Sequence, residues 1–256
     1  MKKRIIFLLI LSLLLTLVPI KANASEKNRI WIGDSRTVAL EQIINNPIDK
    51  FIAKGGMSLS WFENTAIPEL KKNINNNSIV FINMGVNDCA NEAVGGNSSY
   101  TERYIELVNN LIIEYPNVEF YYISVNPVDG DYPSDYSETG YIDKNKLNNA
   151  INKFNENIKE KCNAKYIDTN TYLYKINFQT TDGIHYDSNI TNKIYDYCLE
   201  EINKVEIVNK NENNEIIKYK EKQFENLQLI KEKKKFVKFK EFINYTVDKT
   251  GIIYYD

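Results

Sequence analysis

The stretch Trp31-Ile32-Gly33-Asp34-Ser35-Arg36 decides how the rest of the chain is interpreted. An apolar run from Arg29 to Ile32 predicts a buried strand, which breaks at Gly33, and apolar residues with helical spacing begin just after Ser35. A helix N-terminus offers unpaired backbone N–H groups and partial positive charge, so a serine hydroxyl there is well placed to act as a nucleophile. The alternative is that Ser35 only caps the helix, which is a common role of serine.

Beyond that stretch, predicted strands and helices alternate along the chain. Further strands are predicted at 49–53, 78–84, 118–125 and 165–168, and helices at 58–74, 100–115, 146–162 and 190–202. Pro68 is expected to interrupt the first of these helices. Such βαβ alternation predicts an α/β fold with a roughly five-stranded parallel sheet and helices on both faces.

Three further polar clusters follow predicted strands or lie in loops near them. They are Gly55-Gly56, Gly85-Val86-Asn87-Asp88 and Asp182-Gly183-Ile184-His185. Because the carboxyl edge of an open parallel sheet is where ligands bind, we expect these clusters to lie near Ser35.

With these four blocks the chain resembles the SGNH/GDSL hydrolase superfamily over roughly residues 29 to 200. The marker residues of that superfamily match Ser35, Gly56 (or Gly55), Asn87 and His185, in this order. The resemblance implies a flavodoxin-like three-layer sandwich and the activity of a serine esterase or acylhydrolase. The joint match of four blocks is far more specific than any one of them.

The residue types also suggest how such a site works. His185 is the only histidine in the chain, so it is the candidate base for Ser35. Asp182, three residues earlier, can hold the imidazole in the correct tautomer. The oxyanion hole is predicted from the N–H groups of Ser35 and Gly56 and the side-chain amide of Asn87. No metal or cofactor is expected, and the missing G-x-S-x-G motif argues against the α/β-hydrolase fold.

Three segments are predicted: 1–24, 25–205 and 206–256. Residues 1–24 combine a basic start, an apolar stretch containing Pro19 and an Ala22-Asn23-Ala24 cleavage site, which together favour a signal peptide over a membrane anchor. Residues 25–205 form the predicted hydrolase domain, and 206–256 a Lys/Glu/Asn-rich extension of uncertain structure. The protein is therefore expected to be secreted or associated with the cell surface.

Charge and cysteine content bear on partners. The formal net charge is −2 over 256 residues, with an acidic excess in residues 25–205 and a small basic excess in residues 206–256. The acidic domain argues against nucleic acid as a partner. Of the three cysteines, Cys162 and Cys198 are candidates for a disulfide, whereas Cys89 is expected to be a small buried side chain.

Two segments leave alternatives open. The long loop 126–141 contains Tyr132, Tyr136 and Tyr141. These side chains either form a stacking wall for a sugar or aromatic substrate or belong to an ordinary tyrosine-rich surface loop. Its aspartates lack the EF-hand spacing for calcium. In the extension, phenylalanines among lysines suggest contact with a cell-wall polymer or membrane surface, or simply packing on the domain.

The sequence therefore predicts an exported serine esterase that removes small acyl groups, such as acetyl, from an extracellular or cell-wall carbohydrate. Hydrolysis of lipids or small esters, and acyl transfer to a sugar hydroxyl, are alternatives that use the same acyl-enzyme. A non-catalytic surface-binding module that retains the fold is a further alternative, but the intact four-block set counts against it.

Overall fold

The part of the chain that the structure describes is built around a parallel five-stranded sheet. The computed structural model describes residues 27–134 and 137–204, together with Glu215. The strands are β1 (Asn28–Gly33), β2 (Asp49–Ala53), β3 (Ser78–Asn83), β4 (Glu119–Ile123), β5 (Tyr132–Pro133), β6 (Tyr141–Ile142) and β7 (Lys165–Ile167). The main sheet has the order β2-β1-β3-β4-β7, and β5 pairs with β6 in a separate antiparallel ladder. The predicted α/β fold and its parallel sheet are confirmed.

Helices connect the strands. They are α1 (Ser35–Ile43), α2 (Leu59–Trp61), α3 (Ile67–Asn73), α4 (Val86–Ala93), α5 (Tyr100–Glu114), α6 (Lys144–Lys161), α7 (Thr169–Lys175) and α8 (188–204). The five predicted helices are all present. Helices α4 and α7 and the β5–β6 ladder were not predicted, because each has too few residues for a hydrophobic period to be visible.

Pro68 lies inside the helical segment without ending it. A single π-helical turn, Phe62–Ala66, joins α2 to α3, and Pro68 falls in the first turn of α3. Proline has no N–H to donate to the carbonyl four residues earlier, so the regular hydrogen-bond ladder must change at this point. The predicted interruption therefore takes the form of a π turn immediately before the proline.

Both faces of the sheet are buried. On one face the rings of Trp31, Phe81 and Tyr121 occupy the same register on β1, β3 and β4, with centroids 4.0 and 5.5 Å apart. The alternate residues of the same strands enter the main hydrophobic core on the other face. This explains the continuous apolar runs, since a strand covered on both sides has no polar face.

The strand order places a crevice at one particular edge. In a flavodoxin-like sheet the connections leave in opposite directions from the two strands at the switch point, here β1 and β3. The carboxyl ends of these strands lead to Ser35 and to Gly85-Val86-Asn87-Asp88. The fold thus brings the first and third predicted blocks together.

The chain divides into two compact units, residues 1–195 and 196–256. Of the second unit, the structure describes the helical residues 196–204 and Glu215. The predicted signal peptide lies outside the described residues, as does the 206–256 extension apart from Glu215, so both remain predictions. Among the helices that the structure does describe, none is long and apolar enough to cross a membrane.

Candidate active site

Ser35 is the first residue of α1, at the end of β1. The turn from strand to helix is tight: a Cβ on Gly33 would lie 1.8 Å from Thr37 Oγ1, so only glycine fits there. Asp34 is the N-cap, and its Oδ1 accepts a hydrogen bond of 3.1 Å from the backbone N–H of Arg36. The alternative that Ser35 caps the helix is therefore wrong, and its hydroxyl is available for other contacts.

The hydroxyl of Ser35 contacts the only histidine. The distance from Ser35 Oγ to His185 Nε2 is 2.8 Å, and the distance from His185 Nδ1 to Asp182 Oδ2 is 2.6 Å. These two hydrogen bonds form the chain Ser–His–Asp that was expected from the sequence. The arrangement allows His185 to accept the Ser35 proton while Asp182 orients the ring and stabilises its positive charge.

The Asp182 carboxylate is well suited to remain ionised. Partial burial opposes its charge, but hydrogen bonds from the His185 backbone and ring and from the Ile184 backbone outweigh burial and lower the pKa of Asp182 to about 2. Its Oδ1 accepts backbone N–H groups from Ile184 at 3.0 Å and His185 at 2.7 Å. One side chain thus shapes the turn and aligns the imidazole.

A contact between two glycines holds this turn in place. Gly183 has a φ of +96°, and a Cβ on Gly130 would lie 2.7 Å from the Gly183 Cα. The backbone N–H groups of Asp129 and Gly130 both donate to the Gly183 carbonyl at 3.3 Å. The loop after β4 and the histidine turn therefore touch backbone to backbone, which residues with side chains do not allow.

Arg36 links the nucleophile helix to the histidine turn, a role that was not predicted. Its guanidinium donates to the carbonyls of Asn126 at 2.8 Å and Ile184 at 3.2 Å, and it stacks 5.2 Å from the Tyr186 ring centroid. Arg36 is only 7% exposed, and its Nε has no hydrogen-bond partner. The only feature of the sequence that pointed to this role of Arg36 is its position directly after the nucleophile Ser35.

Asp34 is a buried carboxyl next to the nucleophile, with only 1% of its surface exposed. Burial raises the pKa of Asp34 from 3.8 to about 6, although the charge and backbone N–H of Arg36 and the charge of His185 act in the opposite direction. Ionisation of Asp34 therefore costs stability, and this cost depends on pH.

Gly56 and Asn87, the predicted oxyanion donors besides Ser35, line the same cleft. The Asn87 amide donates one N–H to the Met57 carbonyl at 2.9 Å, which ties it to the Gly55-Gly56 turn. The amide nitrogen has a second N–H to offer a substrate. Gly55 also lies near the nucleophile, since a Cβ there would be 3.9 Å from the Ser35 Cβ.

Asp88 fixes the other side of the same turn. Both of its oxygens lie 3.2 Å from the Leu59 N–H, and Oδ2 accepts the Tyr104 hydroxyl at 2.9 Å. Burial raises the pKa of Asp88, and these hydrogen bonds act against that change. Asp88 therefore stabilises the turn through hydrogen bonds. Its place in the Gly85–Asp88 block did not by itself predict this role.

Other candidates from the sequence have different surroundings. Cys89 is fully buried, and burial raises the pKa of its thiol, so it is a packing residue as expected. Cys162 and Cys198 are free thiols, so the suggested disulfide is not formed. Within residues 27–134 and 137–204 no cluster of acidic, cysteine or histidine side chains could hold a metal. Asp129 and Asp131 instead accept hydrogen bonds from Thr180 and the Lys144 N–H.

Of the two loop tyrosines that the structure describes, Tyr132 and Tyr141, one lines the cleft. Tyr132 lies on β5 and lines the cleft beside Gly56 and Asn87. Tyr141 is 57% exposed on β6 and is not part of that lining, and Tyr136 lies outside the described residues. The segment predicted as a plain loop thus contains a short ladder that carries one tyrosine to the site.

The fold and the arrangement of these side chains define a class of protein: three-layer α/β proteins with a Ser–His–Asp triad at the carboxyl edge of a parallel sheet. The family model described as GDSL-like lipase/acylhydrolase matches residues 39–198, more than half of the chain. The chain therefore belongs to the GDSL-like lipase/acylhydrolase family, and it is an ester-hydrolysing enzyme. The matched region contains Gly56, Asn87, Asp182 and His185 and begins just after Ser35.

Solved structures share the fold at low sequence identity. A candidate acylhydrolase from Bacteroides fragilis has a TM-score of 0.54 and 14% identity, covering 72% of this chain and 89% of that one. A GDSL-like lipase from Bacteroides thetaiotaomicron has a TM-score of 0.52 and 17% identity, with 70% and 89% of the two chains covered. No curated protein matches the chain.

Proposed function

We propose that this protein is an exported serine esterase that removes small acyl groups, principally acetyl, from an extracellular or cell-wall carbohydrate. The observation that carries the proposal is the hydrogen-bonded chain from Ser35 Oγ through His185 to Asp182, at 2.8 and 2.6 Å. The distances are those at which a histidine accepts a serine proton as the oxygen attacks a carbonyl.

The reaction follows from this geometry. Ser35 Oγ attacks the ester carbonyl while its proton passes to His185 Nε2, and the ionised Asp182 stabilises the imidazolium. The Ser35 and Gly56 N–H groups and the Asn87 amide stabilise the oxyanion. His185 then returns the proton to the leaving alcohol, which leaves an acyl group on Ser35. Water activated by His185 hydrolyses this acyl-enzyme and frees the serine.

Two features support the finer parts of the proposal. The cleft beside the oxyanion donors is lined largely by amide, hydroxyl and backbone groups, which suits a polar alcohol better than a long alkyl chain. The sequence of residues 1–24 supports export. For the 206–256 extension, contact with a cell-wall or membrane surface is part of the same proposal.

The test compares acyl-chain lengths in wild type and Ser35→Ala. We expect wild type to cleave 4-nitrophenyl acetate and acetylated oligosaccharides, with activity falling as the acyl chain lengthens, and Ser35→Ala to be inactive while its circular dichroism is unchanged. Preference for long acyl chains would point to a lipase, and transfer of acetyl to an added sugar would point to an acyltransferase. Activity retained in Ser35→Ala would refute the mechanism.

Export has a separate measurement. We expect protein recovered from the culture medium to begin at Ser25, which N-terminal sequencing determines. Intact protein beginning at Met1 in the membrane fraction contradicts cleavage.

A further inference from the structure

The cleft that contains Gly56 and Asn87 is much larger than an acetyl group requires. It has a volume of about 510 Å³ and three walls: the 56–58 turn, one face of α4, and the β5–β6 ladder with Ser134. An acetyl group needs room for a single methyl next to the carbonyl. Most of the cleft is therefore available to the rest of the substrate.

The lining of the cleft follows one face of α4, from Asn87 toward the C-terminal end of that helix. Asn87 and Asn91 are four residues apart in α4, so they lie on the same face of the helix, one turn from each other. Ala90 and Val94 follow the same spacing and belong to the same lining. A substrate whose carbonyl is held at Asn87 thus places its next part beside Asn91.

The charges in the lining exclude some substrates. Among the described residues that line this cleft, Asp88 alone is charged, and its oxygens are occupied by the Leu59 N–H and the Tyr104 hydroxyl. Within residues 27–134 and 137–204 no lysine or arginine lines the cleft, so these residues offer a phosphate or carboxylate no opposite charge. Neutral amide and hydroxyl groups from Asn91, Ser58 and Ser134 match a ligand rich in hydroxyl groups instead.

Tyr132 provides an aromatic surface on the opposite wall. It is half-buried on β5, where it pairs with the buried Ile142 of β6, so the ladder holds its backbone in place. A tyrosine ring packs against the apolar face of a sugar while its hydroxyl stays available for hydrogen bonding. The geometry points to a subsite for the alcohol part of the ester: a neutral sugar ring packs on Tyr132 and hydrogen bonds to Asn91. This inference rests on the proposed esterase function.

The experiment measures substrate preference, defined as kcat/KM for an acetylated neutral oligosaccharide divided by kcat/KM for 4-nitrophenyl acetate. We expect Tyr132→Ala to lower this preference about tenfold, mainly through KM for the oligosaccharide. Asn91→Ala, at an exposed side chain, serves as a second variant with the same expected direction. Tyr141→Ala is the matched control, because Tyr141 lies on the adjoining strand outside the lining, and it is expected to leave the preference unchanged.

The possible outcomes separate this inference from the proposed function. An unchanged preference in both Tyr132→Ala and Asn91→Ala overturns the subsite, as does an equal loss on both substrates, which marks a structural role. Wild-type cleavage of the aryl acetate without cleavage of the oligosaccharide overturns the subsite and leaves the esterase intact. Calorimetric titration of the Ser35→Ala variant with the deacetylated oligosaccharide tests the subsite without turnover. Loss of this binding in the double variant Ser35→Ala, Tyr132→Ala supports the subsite.

Discussion

Replacing Asp34 with Asn tests the charge buried next to the nucleophile. Asp34 is almost completely buried, and its Oδ1 caps α1 by accepting the Arg36 N–H at 3.1 Å. An asparagine keeps an oxygen for that hydrogen bond but cannot ionise. The substitution therefore removes the buried charge while preserving the helix cap.

The size of the effect follows from the pKa of Asp34, which burial raises from 3.8 to about 6. A shift of about two units at ~1.4 kcal/mol per unit corresponds to about 3 kcal/mol. Because the folded pKa is the higher one, this contribution to stability is fully present below pH 3.8 and is lost as the pH rises through 6. The stability of Asp34→Asn relative to wild type should thus increase by about 3 kcal/mol from about pH 3.5 to about pH 8.

Urea unfolding of both proteins at closely spaced pH values gives the two stability profiles. Asp187→Asn is the matched control, since Asp187 is an exposed aspartate that accepts the Ile190 N–H at 2.8 Å at the start of α8. Profiles for Asp34→Asn and wild type that remain parallel across this pH range would refute the reasoning. A loss of stability for Asp34→Asn that is the same at every pH would mean that the cap, not the charge, is the main contribution.

Three further predictions concern catalysis. Asn87→Ala should lower kcat roughly 10²–10³-fold with little change in KM, because its free N–H acts chiefly in the transition state; steady-state kinetics would contradict this by showing an effect on KM alone. Asp182→Asn should lower kcat/KM at least ~10²-fold through loss of imidazole orientation, and an unchanged rate would assign that role to another group. Arg36→Lys should lower kcat about tenfold, because lysine lacks the planar fork that reaches both the Asn126 and Ile184 carbonyls. If Arg36 acts by positioning His185, Arg36→Lys has no further effect in a His185→Ala background, and a persistent effect would contradict that role.

Much of the fold could be predicted from the sequence because its signals are local and strong. The run Ser78-Ile79-Val80-Phe81-Ile82 reads as a buried strand because both faces of that strand are covered, and the structure has β3 at Ser78–Asn83. The period of α5 is equally clear over its 15 residues. Short elements such as α7 and the β5–β6 ladder depend on contacts with distant residues and lack such signals.

The residues of the active site likewise divide into those that the sequence predicted and those that it could not. The resemblance of the four blocks to the SGNH/GDSL hydrolases identified Ser35, Gly56, Asn87 and His185, and Asp182 lies close enough in sequence to reach His185 locally. Sequence could not show that Tyr132 reaches the cleft, since this depends on its pairing with Ile142.

By itself, the sequence determined the parallel α/β architecture, the residues of the triad and the end of the sheet at which they lie. Only the tertiary structure decided which groups hold them there: the Arg36 contact to the Ile184 carbonyl, the Asn87 contact to Met57 and the Asp88 contact to Leu59. Each of these contacts joins a side chain to a backbone group of another segment. Every residue has a backbone carbonyl and every residue except proline has a backbone N–H, so no sequence pattern marks the one that is used. The partner is settled only when the segments pack together.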